Sequence, residues 1–66
     1  MEEIDKLKTI LQHWMRHNEN HFEEYKKWAQ IASSAGLGDV SKSILKALEL
    51  IKRANEEFQK ALNYIP

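Results

Sequence analysis

Mostly apolar residues recur along the first half of the chain at alternating intervals of three and four. This spacing is typical of a helix that packs lengthwise against a second helix. The stripe consists of Ile4, Leu7, Leu11, Trp14, Asn18, His21, Tyr25, Trp28 and Ala32. A matching stripe in the second half consists of Val40, Ile44, Ala47, Leu48, Ile51, Ala54, Asn55, Phe58, Leu62 and Ile65. The pattern predicts two long helices, the first over about 2–35 and the second over about 39–65.

Two glycines, Gly36 and Gly38, separate the stripes. Glycine suits the left-handed position just after a helix because it has no Cβ that would clash there. Asp39 is a good candidate to cap the second helix through its carboxylate. A turn as short as 36–38 makes the two helices antiparallel. The sequence therefore predicts one all-α domain over 1–66, folded as an antiparallel two-helix hairpin.

A two-helix hairpin leaves part of its apolar surface uncovered. A chain of 66 residues without cysteine has neither a large core nor a disulfide to stabilise it. We therefore predict that two copies associate as a homodimer and form a four-helix bundle. The residues predicted to lie between the copies are Ile10, Trp14, Met15, Phe22, Leu45 and Leu50.

Composition excludes several functional classes. Ten Lys and Arg residues balance ten Asp and Glu residues, so the chain lacks the basic excess of nucleic-acid-binding proteins. No apolar run reaches the roughly 20 residues of a membrane span, and the first residues are too charged for a signal peptide. We expect a cytoplasmic protein that binds neither nucleic acid nor membranes. Its serines lie near the turn, far from its histidines, so we also expect no enzymatic activity.

All histidines of the chain lie in one short segment at intervals of four residues. This interval places successive imidazoles one turn apart on the same side of a helix, where two nitrogens can bind one divalent ion. Imidazole and carboxylate ligands suit Zn, Ni, Cu or Co. The first functional hypothesis is a non-enzymatic metal-binding or metal-sensing module. Its candidate ligands are His13, His17, His21 and Glu24.

The alternative hypothesis is a structural or protein-interaction hairpin. Asn18 and His21 lie on the predicted seam opposite Asn55, where the three form a buried polar layer that fixes the register. A third hypothesis is a response to pH, because protonated imidazoles would place like charges one turn apart. A fourth is an adaptor that docks Leu45 and Leu50 into a groove of a larger protein. The dimer and metal predictions assume an unbroken first helix with its imidazoles on one side.

The run HWMRHNENHFEEYKKWA over 13–29 resembles a signature of small prokaryotic, largely archaeal helical-hairpin proteins. That signature reads HW-x-x-HN-x-x-H-x-x-x-(F/Y)-x-x-WA. The second half also fits, with Gly-Leu at 36–37 and Ala-Asn-Glu at 54–56. The resemblance covers nearly the whole chain and implies a helical hairpin without an established activity. The residues that it singles out are His13, His17, His21 and Asn55.

Overall fold

The computed structural model describes all residues from 1 to 66, and its regular elements are all helical. Helix α1 spans Glu2–Asn20, α2 spans Phe22–Ser34 and α3 spans Gly38–Tyr64. Helices α1 and α2 together form a first arm, and α3 runs back along both. The resulting rod measures 53 × 15 × 11 Å at the Cα atoms. The predicted all-α class is confirmed, and none of the helices has the length and apolar character needed to cross a membrane.

The turn between α2 and α3 is built around Gly36. This residue has a φ of +81°, the left-handed conformation predicted for it. The N–H of Leu37 donates to the carbonyl oxygen of Ala32 at 2.9 Å, which is the long bond of a Schellman motif. The capping prediction is wrong: α3 begins at Gly38, and its start has no side-chain capping bond. Asp39 therefore lies inside the first turn, where its charge suits the positive helix end.

The prediction of one unbroken helix over 2–35 is wrong, because the first arm breaks at His21. This residue has φ −94° and ψ −8°, and its N–H donates to Asn18 O at 3.2 Å, three residues back. The break falls in a segment rich in Asn and His, which are weak helix formers. A side chain from α3 also enters here, since Asn55 Nδ2 donates to Met15 O at 3.0 Å. Side chains that bond into the helical ladder bend helices.

The buried stripe continues through this break without a change of phase. In the first arm, the buried and half-buried residues that face α3 still alternate at intervals of four and three. They are Ile4, Lys8, Leu11, Met15, Asn18, Phe22, Tyr25, Ala29 and Ala32. Their counterparts in α3 are Ser41, Ile44, Leu48, Ile51, Asn55, Phe58, Leu62 and Ile65. Helices α1 and α2 therefore present one continuous side to α3 despite the bend.

The buried stripe of the first arm contains different residues along one edge from those predicted. Trp14 and Trp28, predicted to lie in the seam, are 46% and 51% exposed. Met15 and Phe22, predicted to lie outside the seam, are half buried within the hairpin. Buried positions near the turn are small: Ala29, Ala32 and Ser41. Small residues let the helices approach closely, so no room remains between them for an indole ring.

One hairpin buries little of its own surface. Six of its 66 residues are buried, and none of the large side chains is fully enclosed. Its accessible surface is 5225 Å², whereas a folded monomer of 7.8 kDa exposes about 4,400 Å². The excess of about 800 Å² accompanies the elongated shape of the rod, which leaves more surface exposed than a compact chain of the same mass.

Candidate functional site

The imidazoles form a ladder along one side of the first arm. The ring centres of His13 and His17 are 6.3 Å apart, and those of His17 and His21 are 4.9 Å apart. The ring of His21 stacks on Tyr25 at 5.7 Å. The break at His21 therefore leaves the three histidine rings on the same side, each beside its neighbour.

The two histidine pairs differ in their fit to a single ion. Imidazoles that bind one tetrahedral ion have ring centres about 5 Å apart, because metal–nitrogen bonds are about 2 Å long. The His17–His21 pair matches this distance at 4.9 Å, whereas the His13–His17 pair exceeds it at 6.3 Å. The ring separation therefore favours the His17–His21 pair over the His13–His17 pair.

The predicted carboxylate ligand, Glu24, lies beside His21. Its Oε2 is 3.6 Å from Nδ1 of His21, which is too long for a hydrogen bond. Nε2 is therefore the nitrogen of His21 that is turned away from this carboxylate. No three His, Asp or Glu side chains of the chain are grouped closely enough to hold an ion together. One copy therefore offers pairs of ligands and no complete ligand set.

Asn18 and Asn55 form the polar contact in the middle of the seam. Asn18 Nδ2 donates to Asn55 Oδ1 at 2.9 Å, and Asn55 Nδ2 donates to Met15 O at 3.0 Å. Asn55 is 7% exposed, and the chain has no buried side-chain polar atom without a partner. His21, the third predicted member of this layer, bonds to neither amide, and its Nδ1 faces Glu24.

Exposed apolar residues of the first arm lie beside the buried stripe, on the side of the imidazoles. They are Leu7, Ile10, Trp14, Trp28 and Ile31, and each is between 42% and 51% exposed. The rings of Trp14 and Phe58 are 5.6 Å apart, which identifies the side of α3 that continues this surface. We call the whole surface the apolar face. The residues that α3 adds are Val40, Ile44, Ala47, Ile51, Ala54, Phe58, Ala61 and Ile65.

The opposite side of the hairpin is the polar face. Its residues from the first arm are Gln12, Glu19, Lys26 and Ser33, and those from α3 are Leu45, Glu49, Lys52, Glu56 and Gln59. Shallow grooves line this side where the two arms meet. Leu45 is its one large apolar residue, and it lies in the groove beside Ala29 and Ser33.

The predicted interface residues Leu45 and Leu50 lie on different sides of α3. Five residues along a helix correspond to a rotation of about 140°, so the two side chains diverge although both are exposed. A single groove of another protein would meet one of them and miss the other. Their placement does not fit the adaptor hypothesis in its predicted form.

Two contacts extend the site beyond the predicted residues. The spacing of the apolar stripe predicts that Tyr25 lies in the seam. Its ring also continues the imidazole ladder. The interval of four residues between His21 and Tyr25 is the sequence feature that indicates this position. Nζ of Lys52 lies 5.5 Å from the ring centre of Phe22. This contact shows that the middle of α3 lies at the level of the break in the first arm.

Residues 7–65 match a family described as a domain of unknown function, DUF8180. The chain belongs to this family. No curated protein and no solved structure matches it. The DUF8180 match agrees with the predicted resemblance to an uncharacterised family that covers nearly the whole chain. It includes the imidazole ladder, the Asn18–Asn55 pair and both sides of the apolar face.

Proposed function

We propose that the chain is a self-associating helical module without enzymatic activity, in which two hairpins form a four-helix bundle. The observation that carries this proposal is the apolar face, which follows both arms and includes two exposed tryptophans. Large contiguous apolar patches on a folded chain mark sites of association.

The Asn18–Asn55 pair supports a structural role for the module. A buried amide pair stabilises the one register in which its hydrogen bonds form, because slipped registers leave the amides without partners. The pair lies near the middle of the rod, where a slip in either direction would separate it. We propose that this contact sets the alignment of the two arms before or during assembly.

Analytical ultracentrifugation at micromolar concentration tests the proposed self-association. Ile10→Lys places a charge on the apolar face, whereas Leu45→Lys places the same charge at a similarly exposed position of the polar face. We expect a wild-type dimer, at least tenfold weaker association for Ile10→Lys (roughly the cost of one unpaired interface charge) and wild-type behaviour for Leu45→Lys. A monomeric wild-type chain would refute the proposal and would indicate that a different protein covers the apolar face.

We further propose that the module binds a divalent transition metal, with Zn, Ni, Cu and Co as the candidate ions. The 4.9 Å separation of the His17 and His21 rings supports this second function. A metal that binds the folded state alone raises the thermal midpoint. We expect such a rise in the wild-type chain and in His13→Ala, and its loss in His17→Ala. Unchanged midpoints with all four ions would count against metal binding.

Two finer points about the chain also belong to this proposal. We place the protein in the cytoplasm, with a second copy as its partner and with neither nucleic acid nor membrane as a target. We also propose that the histidine signature over 13–29 and a largely archaeal distribution are features of DUF8180. Sequences of other members, compared at the positions of the three histidines, test the second point.

A further inference from the structure

We infer that two copies pair with their first arms antiparallel about His21, and that this register builds two metal sites. Each site combines His17 and His21 of one copy with Glu24 of the second copy. The inference rests on the proposed dimer and adds its register, the ligands and the ligand class, a divalent transition ion. No complete ligand set exists within one chain, so each site depends on the second copy.

The first arm favours this register through the overlap of its apolar face. Taken together with Ala35, which follows α2, the apolar positions of the first arm run over 7–35, and their midpoint falls at His21. Antiparallel pairing about His21 therefore covers the apolar positions of both first arms along their full length. A shift by one heptad leaves apolar residues at one end of each copy uncovered, which costs buried apolar area. The pairs formed in the favoured register are Trp14 with Trp28, Ile10 with Ile31, and Leu7 with Ala35.

Helix α3 leads to the same register independently. We pair the stripe 40–65 of one copy antiparallel with the same stripe of the second copy over its full length. Large side chains then lie opposite small ones, which fills space without strain. The pairs are Ile44 with Ala61, Ala47 with Phe58, and Ile51 with Ala54. The midpoint of this stripe lies at 52–53. Because Lys52 lies over Phe22 within the hairpin, both helices place the two-fold axis at the level of His21.

This register brings the candidate ligands of the two copies together. Antiparallel pairing about His21 brings Glu24 of the second copy within one residue of the level of His17, with the two His21 side chains nearest the axis. The ring separation of His17 and His21 within one copy already suits a shared ion. Two imidazoles, one carboxylate and an open position form a ligand set that zinc sites use.

The surroundings of these ligands in the dimer give a second reason for an ion. The Trp14–Trp28 pairs flank them on both sides, so association removes His17, His21 and Glu24 from much of their water. Charged and polar groups withdrawn from water need partners, and metal coordination supplies them. An ion bound by two imidazoles and a carboxylate satisfies all three groups at once. The polar segment of an otherwise apolar face is therefore where the second copy completes a site.

Mixing two variants tests ligation across the interface. His17→Ala removes one imidazole and Glu24→Gln removes the carboxylate, so neither homodimer contains a complete site. In a mixed dimer, the imidazoles of the Glu24→Gln copy meet the carboxylate of the His17→Ala copy. Zinc titration by calorimetry should show at least about tenfold weaker binding for each variant alone. The equal mixture should regain wild-type affinity at about a quarter of wild-type capacity, because half of the dimers have one intact site.

His13→Ala is the matched control, since it removes an exposed imidazole that lies outside the inferred site; it should bind zinc like the wild-type chain. A mixture as weak as its two components would overturn ligation across the interface. A wild-type dimer that binds no zinc would overturn the metal sites and leave the proposed dimer intact. A monomeric wild-type chain would remove the dimer and the inferred sites together.

Disulfide cross-linking tests the register without metal. The chain has no cysteine, so Ile10→Cys and Ile31→Cys each introduce a single thiol. Oxidation of an equal mixture should give cross-linked dimers, because disulfides form where Cα atoms lie within about 7 Å. Each variant alone should remain uncrosslinked, since its two thiols lie many turns apart in the inferred register. Efficient cross-linking of Ile10→Cys with itself, or none in the mixture, would overturn the register.

Discussion

The apolar face and the polar face of the hairpin share the same two arms and the same seam, yet they differ in chemistry. The apolar face exposes aliphatic and indole side chains along both arms. The polar face exposes charged and amide side chains, with Leu45 as its one large apolar residue. A helical layer with one apolar side becomes stable when a second layer covers that side. The contrast identifies the apolar face as the side that a second layer would cover in the proposed assembly.

The imidazole ladder lies on the apolar side of this division. His17, His21 and Glu24 interrupt a row of apolar residues that would otherwise continue from Trp14 to Trp28. Leucines at these positions would bury more apolar area in an assembly, so the polar residues lower the potential stability of the proposed dimer. In the proposed assembly this polar segment lies in the middle of the interface, and the inferred metal sites are the role that we propose for it.

The largest expected effect is on association, and Trp28→Ala tests it. Buried tryptophans are frequent hot spots, and truncation of one costs about 2 kcal/mol or more, or about thirtyfold in Kd. Sedimentation equilibrium measures this change. Tyr64→Ala is the matched control, because it removes an aromatic ring that is 85% exposed at the end of α3, outside the apolar face. Equal losses in the two variants would show that the apolar face has no special role.

A smaller effect is expected on the free energy of unfolding when the seam amide is removed. Asn55→Ala leaves Asn18 Nδ2 without its partner and removes the additional bond to Met15 O, which costs about 1–3 kcal/mol. Urea unfolding measures the loss. Asn63→Ala is the control, since this exposed amide bonds to Gln59 within the same helix, and surface substitutions stay within about 0.5 kcal/mol. A similar cost for both variants would contradict the role of the Asn18–Asn55 pair.

The helices, the turn and the Asn18–Asn55 pair could be predicted from the sequence, because each depends on the spacing or the chemistry of particular residues. Gly36 is a clear case, since a positive φ after a helix selects glycine whatever the rest of the fold does. The Asn18–Asn55 contact follows from two amides that interrupt the seam at matching levels. The glycine follows from the backbone conformation of the turn, and the amide pair follows from the periodicity of the two stripes. The structure has both features.

The sequence does not show which side of the first arm packs against α3, because the residues on both sides of the stripe repeat at the same helical period. Trp14 and Met15 are equally compatible with a buried stripe when the first arm is read alone. Their sorting depends on how α3 packs against the first arm, where Asn55 bonds to Met15 O and Phe58 lies beside Trp14. The hydrogen bond that Asn55 donates to Met15 O, six residues before the break at His21, is likewise a contact between helices that the spacing within the first arm does not reveal.

The smallest expected effect concerns the polar face, where Glu49 accepts from Arg53 at 2.6 Å and from Lys46 at 3.5 Å. These side chains are between 48% and 62% exposed, so water and salt screen their attraction. Glu49→Ala should change the free energy of unfolding by less than about 1 kcal/mol, partly offset by the higher helix propensity of alanine. Its dimerisation constant should match that of the wild-type chain by sedimentation equilibrium. Weaker association of this variant would place the polar face in the assembly, and the chemical contrast between the two faces would then no longer identify the interface.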